Sequence, residues 1–130
     1  MDKKKISELR QFYHEQLLDD CIPFWMKSDL LDKEYGGYIS SVDREGKCYN
    51  DDKSVWFAGR GLWTFSALCN RYGKRDEWVE AAKLGKDFLE KYCVDSDGRM
   101  FFQTTRDGRP LRKRRYMFSE SFYVVGMAEY

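Results

Sequence analysis

The chain contains two copies of one pattern, with a period of roughly 62 residues. In each copy a helical stripe of apolar residues leads into a turn-rich stretch with alternating residues, and a second helical stripe follows. Gly37 and Gly98 occupy equivalent places in the two copies, as do Gly46 and Gly108. Repeats of this kind associate because one unit cannot bury its apolar face alone. The period is too long for the short helix-pair solenoids, so it predicts an α/α toroid in which inner and outer helices alternate.

The periodicity predicts four helices with a short β-hairpin inside each repeat. We expect the first helix from residue 3 to about residue 21, ended or kinked by Pro23. The others are expected over about 52–72 with Gly73 closing the helix, over about 78–92, and from near Met117 onward. Six such helix pairs would need about 370 residues. Residues 1–130 are therefore predicted to be one partial domain, the N-terminal third of a mainly α (α/α)6 barrel, truncated at its C-terminus.

Charge and composition exclude several classes of function. The 23 basic and 22 acidic residues leave a net charge of +1, which provides no overall attraction to nucleic acid or to a membrane. We expect the basic run from Arg106 to Arg115 to be a solvated loop or part of a dimer surface. Four widely spaced cysteines and a single histidine, His14, argue against a metal site. The N-terminus lacks the apolar core of a signal peptide, which predicts a cytoplasmic protein with reduced thiols.

The segment from Lys53 to Trp63 combines an arginine with aromatic residues on one helical face. Trp56, Arg60 and Trp63 follow the spacing i, i+4, i+7. Gly59 and Gly61 flank the arginine and permit a close approach to the backbone. The face suits a sugar or anion site. It also suits an arginine that reaches past a core helix to a surface carboxylate. Both alternatives are open at this point.

Several separated blocks of the sequence resemble the N-acylglucosamine 2-epimerase family, which includes cellobiose 2-epimerases and related aldose–ketose isomerases. The blocks are Tyr35–Tyr38, Val42–Lys47, Lys53–Arg60 and Arg114–Phe122. One position departs from the pattern, because Ala58 stands where many members have glutamine. The resemblance implies an (α/α)6 barrel. It also implies deprotonation at carbon 2 of a ring-opened sugar through a cis-enediolate, giving either the epimer or the ketose, without a metal or redox cofactor.

The resemblance also implies roles for four residues. Arg60 matches the family's active-site arginine and is expected to stabilise the enediolate oxygens. Tyr116 is expected to line the cleft and bind the sugar, and Trp56 to stack on it, although either could be a packing residue instead. Glu120 is expected to orient Arg60 or Tyr116, or else to be a charge at a helix start. The family's acid/base histidines lie in later repeats, and His14 matches neither.

Two rival functions remain open. A glycoside hydrolase on a similar toroid would need paired carboxylates, for which Asp51 and Asp52 are candidates, although both also suit an N-cap. A non-catalytic binding protein of the renin-binding type is the other alternative. For the isomerase, the expected partner is a small sugar, with a homodimer as an expectation for the full-length protein. The 130-residue chain alone is expected to be inactive.

Overall fold

The first helical stripe forms one helix that contains a π-helical segment. The computed structural model describes residues 2–113 and 117–130, and its first elements are α1 (Lys3–Glu15), the π segment (Gln16–Cys21) and α2 (Ile22–Lys27). The prediction that Pro23 ends the helix is wrong. Pro23 lies in the first turn of α2, where its fixed φ suits the helix. The side chain of Asp2 caps the start of α1 by accepting from the backbone N–H of Lys4.

Each repeat contains a hairpin, as predicted, but its strands are shorter than the alternating residues indicate. Strands β1 (Ser41–Val42) and β2 (Cys48–Asn50) pair antiparallel in the first repeat. Strands β4 (Gln103–Thr104) and β5 (Pro110–Arg112) pair in the second, and β3 (Lys53–Ser54) joins them to form a three-stranded sheet. Gly46 and Gly108 close the predicted turns with φ values of 82° and 91°, which glycine adopts readily.

The second predicted helix begins three residues later than expected. Helix α3 covers Val55–Tyr72, and Gly73 follows it with φ 91°, as predicted. The N-cap is Ser54, whose hydroxyl accepts from the backbone N–H of Phe57 at 3.4 Å. The interpretation of Asp51 and Asp52 as N-cap residues is therefore wrong. The carboxylate of Asp52 instead accepts from the side-chain amide of Gln103 in β4.

Helix α3 is the centre of the fold and packs against both α4 (Asp76–Tyr92) and α5 (Phe118–Glu129). Helices α3 and α5 approach closely at two glycines. A Cβ atom on Gly59 would lie 2.6 Å from the carbonyl of Phe122, and one on Gly126 would lie 2.6 Å from the carbonyl oxygen of Gly59. A Cβ on Gly61 would lie 2.7 Å from the ring of Tyr38. Both glycines beside Arg60 therefore accommodate neighbouring parts of this chain.

The apolar core lies between α3, α4 and the segment that joins α2 to the first hairpin. Its most deeply buried large side chains come from all three of these parts of the chain. They are Tyr38, Val55, Leu62, Phe65, Trp78, Phe88 and Leu89. By contrast, α1 buries no residue, so its apolar face is exposed.

Three charged residues, Asp32, Lys53 and Arg106, form an ion cluster that joins the two repeats, with Lys53 and Asp32 buried and Arg106 partly exposed. The ammonium of Lys53 lies 2.8 Å from the carboxylate of Asp32, and both side chains are at most 1% exposed. The guanidinium of Arg106 donates to both carboxylate oxygens of Asp32, at 2.9 and 3.0 Å. Arg106, the first residue of the basic run, is therefore ion-paired although it lies in a turn with its side chain 36% exposed. Its partner, Asp32, is 74 positions away in the sequence.

Candidate functional site

Arg60 lies on α3 with its guanidinium exposed to solvent. Its Nε donates to the carbonyl of Trp56, one turn earlier, at 3.2 Å. Its guanidinium carbon lies 5.1 Å from the ring centroid of Phe122 on α5, within the range of a cation–π contact. In the part of the chain that the structure describes, no carboxylate forms a salt bridge with Arg60. The alternative of an arginine reaching a surface carboxylate therefore finds no partner within residues 2–113 and 117–130.

This exposed guanidinium can bind oxygens. One N–H of the group is used by the helix backbone, and the ring of Phe122 contacts the group at the distance given above. A guanidinium has five N–H donors in a planar fork, so donors remain for a ligand. The arrangement suits recognition of two neighbouring oxygen atoms that carry negative charge.

Trp56 is packed among protein groups rather than open on both faces. Its indole N–H donates to the hydroxyl of Ser119 on α5 at 2.9 Å. The ring of Phe102 meets it edge-on at 5.0 Å, and that of Phe118 lies at 5.4 Å. These contacts favour the alternative in which Trp56 packs α3 against α5 and the second hairpin. Stacking of Trp56 on a sugar stays a prediction.

Trp63, the third residue of the predicted face, is 38% exposed. The guanidinium of Arg71 lies 5.3 Å from its ring centroid. The three residues thus share one side of α3 but differ in environment. Trp56 is enclosed by aromatic side chains, whereas Arg60 and Trp63 are open to solvent.

Glu120 lies in the first turn of α5, as the helix-start alternative expects, and its carboxylate binds the turn that precedes the second hairpin. Its Oε1 accepts from Nε of Arg99 at 2.8 Å and from the backbone N–H of Met100 at 3.0 Å. Burial alone would raise the pKa of Glu120, but these two hydrogen bonds outweigh burial and lower it. The described contacts do not join Glu120 to Arg60. Its other expected partner, Tyr116, lies outside the described residues, so both the role of Tyr116 and its link to Glu120 stay predictions.

A mostly apolar cavity of about 340 Å³ lies beside Arg60, between α2 and α3. Trp25 and Tyr38 contribute aromatic rings to its wall, and Gly61 and Thr64 lie on the same side of α3 as Arg60. Trp25 does not belong to the helical face predicted from the sequence. The only available signal was its position one turn after Ile22 in the first helical stripe. The cavity therefore places one positive charge at the edge of an apolar surface.

The other predicted groups lie apart from Arg60. His14 contacts Tyr72, the last residue of α3, with ring centroids 5.5 Å apart. Within residues 2–113 and 117–130, no three histidine, cysteine or acidic side chains come together in a way that could hold a metal ion. No described helix combines the length and the apolar character needed to span a bilayer.

Sequence comparison identifies relatives along almost the whole chain. A family model described as N-acylglucosamine 2-epimerase (GlcNAc 2-epimerase) matches residues 37–130. The N-acylglucosamine 2-epimerase of Homo sapiens is 37% identical, in an alignment that covers 98% of this chain and 31% of the human protein. The cellobiose 2-epimerase of Bacteroides fragilis is 28% identical over 94% of this chain. The chain therefore spans about a third of the length of these relatives, 31% in both cases.

Structural comparison gives the same result. The cellobiose 2-epimerase of Spirochaeta thermophila superposes with a TM-score of 0.88 and 26% identity, over 98% of this chain and 31% of that protein. The cellobiose 2-epimerase of Bacillus thermoamylovorans superposes with a TM-score of 0.85 and 26% identity, over 95% of this chain and 32% of that protein. These matches confirm the predicted fold class, the α/α barrel with short hairpins between its helices. Together with the family model, which matches most of the sequence, they show that this chain belongs to the N-acylglucosamine 2-epimerase family.

Proposed function

We propose that this chain is the N-terminal third of a sugar 2-epimerase that acts on an N-acylglucosamine. The observation that carries the proposal is the exposed guanidinium of Arg60, fixed by Trp56 and Phe122 and without a carboxylate partner in the described residues. The family membership and the names of the relatives give the reaction class. The mammalian relatives, among them the human protein, favour an N-acylated substrate over a disaccharide because their identities, 37 to 40%, exceed the 28% of the cellobiose enzyme.

In the proposed mechanism Arg60 stabilises negative charge that develops on the substrate. Removal of the proton from carbon 2 of the open-chain sugar moves electron density onto the oxygen of carbon 1. In a free sugar the resulting enediolate has neighbouring oxygens on carbons 1 and 2. In an N-acylated sugar, carbon 2 has the amide nitrogen instead, and the charge lies on the oxygen of carbon 1. A fixed guanidinium aimed at that oxygen lowers the barrier, because the charge is larger in the transition state than in the substrate.

The acid and base of the reaction belong, in this proposal, to another part of the full-length protein. The chain has a single histidine, His14, which lies at the far end of α3 from Arg60. Proton transfer at neutral pH needs groups that titrate near neutrality, and histidine is the usual choice. We therefore assign to this segment the binding and stabilisation of the sugar oxygens.

The proposal places the full-length protein in the cytoplasm as a homodimer, with a sugar as its partner. The four cysteines are unpaired in the structure, which suits a reducing compartment. Cys93 is buried, and burial raises its pKa to about 12, so it behaves as a small apolar group. The net charge of +1 supports the prediction that neither nucleic acid nor a membrane surface is a partner.

The test is to incubate the full-length protein separately with N-acetylglucosamine, mannose and cellobiose and to identify products by NMR. The proposal expects N-acetylmannosamine from the first sugar. A ketose from mannose as the main product would make the protein an aldose–ketose isomerase instead. Release of glucose from cellobiose would support the glycoside hydrolase alternative. A folded protein that converts none of the three sugars would contradict the proposal and favour a binding role.

A further inference from the structure

The ammonium of Lys53 has a complete set of hydrogen-bond acceptors inside the protein. It donates to the carboxylate of Asp32 at 2.8 Å, to the carbonyl of Gly36 at 2.5 Å and to the carbonyl of Arg106 at 2.7 Å. The ring of Phe88 on α4 lies 4.3 Å from the same nitrogen. An ammonium has three N–H groups, so every donor is satisfied. Burial lowers the pKa of Lys53, and the contacts with Asp32 oppose this shift.

Asp32 is equally well satisfied from the other side. Its carboxylate accepts from Lys53, from two nitrogens of Arg106, and from the backbone N–H groups of Glu34 and Tyr35. Burial alone would raise the pKa of Asp32, but the hydrogen bonds from Arg106 and Lys53 outweigh burial and lower it to about 2. The ion cluster therefore fixes three separate segments at one point: the loop after α2, strand β3 and the turn of the second hairpin.

The ion cluster adjoins the start of α3, the helix that bears Arg60, and the second hairpin, which precedes α5. Lys53 is the residue before Ser54, the N-cap of α3, and Arg60 lies in the second turn of that helix. Strand β3 pairs with β4, so the start of α3 is also tied to the second hairpin. Phe122, whose ring contacts the Arg60 guanidinium, lies on α5, the helix that follows that hairpin. A shift at the ion cluster would therefore move the helix that carries Arg60 relative to the ring that supports it.

Stability alone does not explain a cluster in which Lys53 and Asp32 are both buried charges. Removing charges from water is costly, and well-packed apolar residues often stabilise a protein as much as a buried ion pair does. In some proteins, however, buried charged partners impose one particular arrangement where apolar side chains would tolerate several. An active-site group must be held in one position, because a displacement of about 1 Å can lower a reaction rate by a factor of about 10².

We infer that Lys53, together with Asp32 and Arg106, is a positioning residue for Arg60, acting through the start of α3 and the second hairpin. The inference rests on the proposed function of Arg60. It adds residues that touch neither the substrate nor the guanidinium itself. Its consequence is specific: the contribution of Lys53 to catalysis exists only while Arg60 is present.

A double-mutant cycle in the full-length protein tests this dependence. Lys53→Met replaces the ammonium with an unbranched apolar side chain one heavy atom shorter and leaves Asp32 paired with Arg106. We expect it to lower kcat about tenfold or more, with a smaller change in KM. In an Arg60→Ala background the same substitution should lower kcat by less than about twofold, because no guanidinium is left to position. The control is Lys83→Met on α4, an exposed residue that pairs with Asp87, which should leave kcat unchanged in both backgrounds.

Equal losses of kcat from Lys53→Met in the two backgrounds would overturn the inference, as would an unchanged kcat in the Arg60 enzyme. If Lys53→Met does not fold, Arg106→Ala replaces it in the cycle. The Arg106 side chain is 36% exposed, and its removal leaves the Lys53–Asp32 pair in place. Arg106→Ala should likewise lower kcat in the Arg60 enzyme but hardly in the Arg60→Ala background. Equal losses of kcat in the two backgrounds would again overturn the inference. A folded wild-type protein without activity on any of the three sugars would instead overturn the proposed function and this inference with it.

Discussion

Replacing Asp32 with asparagine should destabilise the protein strongly at neutral pH and much less in acid. The substitution keeps the size of the side chain but removes the carboxylate that pairs with both Lys53 and Arg106. Lys53 would then keep two carbonyl acceptors without a counter-charge, in a site where its side chain is 1% exposed. Removing one partner of a buried ion pair typically costs about 3–5 kcal/mol. We expect a loss in that range in the free energy of unfolding near pH 7.

The pH dependence follows from the pKa of Asp32. Folding lowers this pKa from 3.8 to about 2, so the folded state favours the ionised carboxylate. The stabilisation is fully present above the unfolded pKa and is lost as the pH falls through the folded pKa. The difference between the unfolded and folded pKa corresponds to about 2 kcal/mol of stabilisation near pH 7. Asparagine does not titrate. The difference in the free energy of unfolding between the wild type and Asp32→Asn should therefore narrow by about 2 kcal/mol as the pH falls from about 5 to about 2.

Urea unfolding followed by tryptophan fluorescence measures both effects, at low protein concentration and at several pH values. Trp78 is buried in the core and should report the loss of packing. The control is Asp87→Asn, which removes an exposed carboxylate paired with Lys83 and Lys86. Surface ion pairs of this kind contribute about 0–1 kcal/mol. A loss for Asp32→Asn no larger than that of the control, or a gap that does not change with pH, would refute this account of the ion cluster.

Three further predictions concern packing and the isolated chain. Gly59→Ala should destabilise the protein by about 1–3 kcal/mol in urea unfolding, because the added methyl group would overlap the backbone of Phe122; no loss would contradict the close α3–α5 crossing. The isolated 130-residue chain should bind a hydrophobic dye and self-associate, because Phe12, Tyr13 and Val124 expose apolar surface. A monodisperse monomer in sedimentation, without dye binding, would contradict this. The isolated chain should also convert no sugar, and any turnover seen by NMR would show that expectation wrong.

The sequence predicted those features that depend on local periodicity. The stripe from Trp78 to Tyr92 forms α4, and the turn glycines Gly46 and Gly108 close hairpins where expected. The α/α architecture followed from the repeat, because two equivalent units with exposed apolar faces must stack. Arg60 could be singled out because an arginine between two tryptophans on one helical face is unusual in a core helix.

Features that depend on distant partners could not be predicted in this way. The ion cluster joins residues separated by up to 74 positions, and the local sequence around Asp32 and Arg106 does not show that they meet. Glu120 was not expected to bind Arg99, which lies 21 positions earlier in the sequence and donates to its carboxylate. Pro23 was expected to end or kink a helix, but the helix continues past it, because Pro23 follows the π segment and lies in the first turn of α2, where proline is tolerated. In each case a tertiary contact or a local irregularity decides between states that the sequence pattern leaves equivalent.

The most direct test of the account is the rate of solvent deuterium incorporation at carbon 2 of N-acetylglucosamine, measured by NMR with the full-length protein. Arg60→Ala should lower this rate by a factor of about 10²–10³ while the melting temperature stays nearly unchanged. Arg60→Lys should recover only part of the rate, since an ammonium lacks the planar fork. Arg71→Ala, which removes an exposed arginine from the same helix, should exchange at the wild-type rate. Near-normal exchange in folded Arg60→Ala, or loss of folding in that variant, would show that Arg60 is a structural residue and contradict the central claim.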